Sequence, residues 1–207
     1  MNTYQMLRAP AVAAATLVSG AALALSILFK VPLGLALITL GGAVGLAVAF
    51  ELSRMSSPVR ARLRSRVMAG ALAGIFSTAA YDGIRWLLVK LGSLNYSPFE
   101  AFPLFGYAIV GGGAPPAIAL TVGTIYHYLN GITFAIFYCL LFGGRWWVLG
   151  VLWALVLEAL MFTLYPGWLD IEAVMKEFTL VSVTGHLAYG STLGMLSQRW
   201  FRASPLV

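Results

Sequence analysis

The sequence predicts an all-α integral membrane protein of six transmembrane helices, a two-helix N-terminal hairpin followed by a four-helix core. Three observations predict it. The 207 residues are 60% hydrophobic and 10% charged, and the mean hydropathy is +0.89, well past the roughly 45–50% apolar content of a soluble domain. Six apolar runs each approach the about 20 residues that cross a bilayer, with short links between them. Basic residues cluster at one set of links, as the positive-inside rule requires of cytoplasmic connections.

The first run is Ala11 to Phe29 and the second, after "KVP", is Leu33 to Leu52. Met1 to Ala24 has features of a secretory signal, with Arg8 ahead of an apolar stretch and small residues near Ala22 and Ala24. Its apolar run is as long as a span, so it is read as a retained helix. Both runs are rich in Gly and Ala and nearly free of side-chain polarity. Residues 1–53 are therefore expected to form a peripheral transmembrane hairpin, available to other membrane subunits.

"RMSSPVRARLRSR" then places Arg54, Arg60, Arg62, Arg64 and Arg66 together. Residues 54–66 are expected to be a cytoplasmic Arg-rich loop, which puts both termini on the cytoplasmic side of a bacterial inner membrane. With Arg8, Arg145, Arg199 and Arg202, nine of the 13 basic residues fall on that side. The net charge of +6 is thus a topology signal with a lipid-facing role, and no nucleic-acid partner is implied.

The core, 67–207, starts with a span at residues 67 to 91. The Gly/Pro-rich stretch "GSLNYSPFEAFPLFGYAIVGGGAPP" interrupts itself too often for one straight helix. It is expected to be an extracytoplasmic loop over 91–116 with a short interfacial or re-entrant piece around Phe102 to Val110, permitted at membrane depth only under protein cover. Spans follow at 117 to 142, 146 to 165 and 174 to 198. Gly70 with Gly74, and Gly190 with Gly194, are small-xxx-small pairs that let backbones approach in lipid. Cys139, the single cysteine, excludes an intrachain disulfide and reads as a small buried filler.

Ionisable groups inside spans are costly and face partners or wet cavities. Asp82, His127, Glu158 and His186 are the four here, and counting from the helix ends puts them in one band of the outer half. Helical periodicity aligns His127 with Asn130, Gly131 and Phe134, Glu158 with Met161, Phe162 and Tyr165, and His186 with Tyr189 and Gly190. Two imidazoles and a carboxylate could ligate a metal ion through His127, Glu158 and His186, with Asp82 added. Two histidines on different helices could instead hold a tetrapyrrole, with Asn130 and Tyr189 nearby. Interhelical hydrogen bonding is the structural alternative, and for Asp82 a local pair with Arg85 at i+3.

The motifs "AGALAGIFSTAAYDGIR", "PLFGYAIVGG", "HYLNGITFAIFY", "GVLWALVLEALMFTLYPGW" and "GHLAYGSTLG", in that order, resemble a family of small bacterial inner-membrane proteins known only as a domain of unknown function. The matching positions are Asp82, His127, Tyr128, Gly131, Phe134, Ala135, Pro166, His186, Tyr189 and Gly190. The resemblance covers about 140 residues and implies a four-helix core with Asp and two His as its signature, without implying an activity. Function is accordingly expected to be metal or tetrapyrrole binding in a membrane electron-transfer or light-harvesting system. The rivals are an accessory subunit of a larger complex and a small-solute transporter or proton relay, with a membrane enzyme last.

Overall fold

The computed structural model describes residues 10–92 and 94–203, and every regular element in them is helical. In chain order the helices are α1 (Val18–Phe29), α2 (Leu33–Ser53), α3 (Ser57–Gly92), α4 (Ala101–Val110), α5 (Pro116–Phe142), α6 (Val148–Leu164), the one-turn α7 (Pro166–Leu169) and α8 (Met175–Ala203). Residues 10–15 are also helical. Arg8, counted above with the basic residues, lies outside the described residues. Three helices, α2, α3 and α5, are long and apolar enough to cross a membrane, while α1 and α6 are apolar but shorter.

The Arg-rich segment is not the loop expected for 54–66. Only 54–56 lie outside helix, and α3 runs unbroken for 36 residues with Arg60, Arg62, Arg64 and Arg66 on its first turns. Pro58 causes this, because in a first turn its missing N–H would have no partner anyway and its fixed φ suits a helix. The Arg, Ala and Leu that follow are good helix formers.

Close backbone approach sets the packing order. A Cβ at Gly70 would sit 2.9 Å from Ile136 Cα and one at Gly74 would sit 2.6 Å from Ile132 Cα, so the first small-residue pair is where α3 meets α5. A Cβ at Gly190 would meet Gly150 O at 2.6 Å, and Gly194 abuts Trp147, so the second pair joins α8 to α6. With α3 also packed along α8, the lateral order is α5, α3, α8, α6. Because α6 scarcely touches α5, the arc is open on one side.

Helix α4 folds back antiparallel onto α5 through a turn at Gly111, whose φ of 96° favours glycine. Phe102, Phe105 and Gly106 of α4 are buried. The expected short piece around Phe102 to Val110 is thus a helix under protein cover. Helix α1 lies against α5: Tyr126 Oη donates to the Ser19 carbonyl at 2.9 Å, and the Ser19 and Thr133 hydroxyls are 3.0 Å apart. Only α2 is peripheral, with Leu33 and Ala36 its buried residues and open space around Gly41, Gly42 and Gly45. Helix α1 thus touches the core through α5 as well as packing on α2. Cys139 is buried, as a filler should be.

Candidate functional site

The site forms where α3, α5, α6 and α8 carry their ionisable groups, toward the end of the bundle that holds α4. Tyr81, Asp82 and Arg85 lie within four residues of α3. Arg85 Nη1 is 3.2 Å from Asp82 Oδ1, and the Arg85 side chain is buried. His127 of α5 places Nε2 3.1 Å from each Asp82 oxygen, donating to the carboxylate. Across the arc, His186 of α8 sets Nδ1 2.5 Å from Glu158 Oε2 and 3.1 Å from the Ser182 carbonyl. The Ser182 hydroxyl donates to the same Glu158 oxygen at 2.8 Å. Each carboxylate thus fixes which imidazole nitrogen carries hydrogen, leaving His127 Nδ1 and His186 Nε2 unused by any hydrogen bond among the described residues.

The four ionisable groups therefore form two pairs rather than one ligand set. Asp82 joins His127, and Glu158 joins His186, because α3 packs on α5 and α6 packs on α8. Among the described residues no three His, Cys, Asp or Glu come together in a group that could hold a metal ion. The expected centre of His127, Glu158, His186 and Asp82 is not assembled.

Tyr81 connects the pairs. Its ring centroid lies 5.9 Å from that of His127 and 4.9 Å, edge-on, from that of His186. The Arg85 guanidinium covers the Tyr81 ring at 4.3 Å. Gly185 makes this possible, since a Cβ there would be 2.8 Å from both the Tyr81 ring and Arg85 Cδ. Sequence reasoning passed over Tyr81 and Gly185 and assigned Arg85 to the interface.

Both imidazoles border one cavity of about 350 Å³. His127, Asn130, Gly131 and Phe134 all line it, the face that helical spacing predicts, as do Tyr189 of α8 and Met161 and Tyr165 on the α6 side. Glu158 stands behind His186 and does not line it. Most of the wall is apolar, including Leu17, Gly20, Leu23 and Ala24 from α1. Along α6 the lining runs from Trp153 to Leu164, roughly 16 Å at the helical rise, so the space is a slot extended along that helix. Three lining residues, Thr78, Asn130 and Trp153, keep a buried polar atom without a hydrogen-bond partner (Oγ1, Oδ1 and Nε1). Such atoms are expensive to leave unmet. Helices α1 and α6 both line the slot and scarcely touch one another.

A smaller chamber of about 50 Å³ adjoins it, with Tyr81, Phe105, His127, Met161 and Tyr165 lining both. Arg85, Tyr96 and Ser182 also line the chamber. Its cover is the segment 94–100, held by Glu177 of α8, which accepts the Tyr96 N–H at 2.8 Å and the Asn95 amide at 3.2 Å. Burial raises the Tyr96 phenol against the opposing pull of Arg85, so it stays neutral. Glu177→Ala is expected to free this cover: hydrogen exchange of the Tyr96 amide should accelerate roughly tenfold or more, for a lost charge-assisted bond of about 1.5–3 kcal/mol. Unchanged exchange would mean the clamp carries no load.

No protein-family model, curated protein or solved structure matches the chain. What the site can do follows from its own residues.

Proposed function

We propose that the chain is a six-span bacterial inner-membrane protein, both termini cytoplasmic, that binds a small lipid-soluble molecule in the slot. On this reading the site occupies the outer half of the bilayer and the ligand enters sideways from lipid between α1 and α6. Its apolar body lies along the α1 and α6 walls. Its polar portion meets the imidazoles. The observation that carries the proposal is a mostly apolar cavity of about 350 Å³, within the usual range of ligand pockets, bordered by two imidazoles each backed by a carboxylate. Interhelical bonding alone accounts for the pairs but not for the cavity.

The test is mass spectrometry of organic extracts from purified protein. Gly20 lines the slot, and a Cβ there would already lie 2.7 Å from the Phe134 ring. Wild type is expected to carry a discrete apolar compound in near-equimolar amount, and Gly20→Leu to lose it. Identical extracts from the two proteins would refute the proposal.

A further inference from the structure

The charges of the site do not cancel when both imidazoles are neutral. Arg85 supplies one positive charge, Asp82 and Glu158 supply two negative ones, and the other titratable groups facing them are the phenols Tyr81, Tyr96, Tyr128, Tyr165 and Tyr189, with the Glu100 carboxylate near Tyr96. Glu177 lies beyond the chamber, occupied with the segment 94–100. Uncompensated buried charge costs several kcal/mol, so the site is nearest neutrality when one imidazole–carboxylate pair holds an extra proton.

Geometry selects which pair. Asp82 is already satisfied by Arg85 and by His127. Glu158 is 3% exposed and has no guanidinium against it; the Ser182 hydroxyl and His186 are its contacts, and its Oε1 is buried without a partner. The extra proton therefore belongs to the His186–Glu158 pair. Ser182, whose hydroxyl donates to Glu158, also lines the small chamber, and about 50 Å³ exceeds the ~10–15 Å³ that one water needs.

A positive ligand beside His186 would supply the same charge. The slot suits such a ligand: Tyr81, Phe105, Phe134, Trp153, Tyr165 and Tyr189 line it, and aromatic faces attract cations. An anionic head would add to a site that already has one carboxylate too many. We infer that the lipid-soluble ligand is an amphiphilic cation and that it is bound in exchange for a proton held at His186 and Glu158. The inference rests on the binding function proposed above. The balance is simple: the cation enters, the His186–Glu158 pair gives its extra proton to water, and the ligand is chemically unchanged.

The experiment uses full-length protein in lipid nanodiscs, weakly buffered with a pH-indicator dye and corrected against empty discs. Three probes share one chain and differ in head group: dodecyltrimethylammonium, dodecanol and dodecanoate. Dodecyltrimethylammonium is expected to bind roughly tenfold tighter than the others, to alter tryptophan fluorescence, and to release about one proton per protein. Glu158→Gln should bind without release, and Glu158→Asp should restore it. Dodecanol or dodecanoate binding as well as the cation, or the cation binding without proton release in wild type, would overturn the inference and leave the binding function standing. If no probe binds wild type above Gly20→Leu, the binding function falls as well. The wild-type comparisons decide the matter even where a Glu158 variant fails to fold.

Discussion

Gly123→Leu is expected to prevent α4 from docking and to lower the midpoint of thermal unfolding in detergent more than any surface change. A Cβ at this position would fall onto the carbonyl oxygen of Phe102, and the Phe102 carbonyl carbon would be 2.7 Å away. The neighbouring contact leaves no slack, because a Cβ at Gly106 would in turn meet the backbone of Ala119. Backbone cannot swing aside as a side chain can, so the two helices must separate. Overpacking usually costs 1–3 kcal/mol, and separation adds the exposure of Phe102 and Phe105, for a total of roughly 3 kcal/mol or more. The site suffers with it, since the Phe102 ring lies 4.7 Å from that of His127. Gly42→Leu is the control, with open space where its side chain would go, and should leave the midpoint unchanged. A wild-type midpoint for Gly123→Leu would show that α4 and α5 are not in contact here.

Glu158→Ala comes second. Removing one member of a buried ion pair strands the other and typically costs 3–5 kcal/mol, whereas replacing both by apolar residues is often neutral. Glu158→Ala should therefore destabilise strongly, and Glu158→Leu with His186→Leu should cost less than Glu158→Ala alone. The coupling read from the four-variant cycle of Glu158→Leu and His186→Leu should reach about 1–3 kcal/mol. Strict additivity would mean that the two side chains do not depend on one another. Asp82→Ala differs in kind, because it leaves Arg85 as well as His127 without its carboxylate.

The apolar runs that became α2, α3 and α5 could be read directly, because stretches of that length are set by the bilayer rather than by tertiary detail. The inward face of α5 was equally legible, since the spacing of His127, Asn130, Gly131 and Phe134 is a property of one helix. Which helices are neighbours was not. Sequence gives the depth of Asp82, His127, Glu158 and His186 but not their direction around each axis, and equal depth suits one shared centre as well as two pairs. The glycines held the missing information: Gly74 marks the contact with α5, and Gly190 the contact with α6. Arg85 looked interfacial because it lies near the end of an apolar run. Its burial comes from α4 and the segment before it folding back over that end. The role of α1 was hidden for another reason, since a backbone carbonyl, that of Ser19, receives the Tyr126 hydroxyl, and an inventory of side chains omits it.

Of the helices that line the slot, α6 is the short one. It has 17 residues, about 26 Å at the helical rise, against a hydrocarbon thickness of about 30 Å, whereas α1 continues helical residues 10–15 after a two-residue turn. The 27 residues of α5 and 36 of α3 face no such shortfall. In the membrane placement proposed above, lipid beside α6 must thin relative to lipid beside α3 and α5. On that placement head groups stand nearer the slot along the α6 edge, which would shorten the path of an amphiphile entering from the surface.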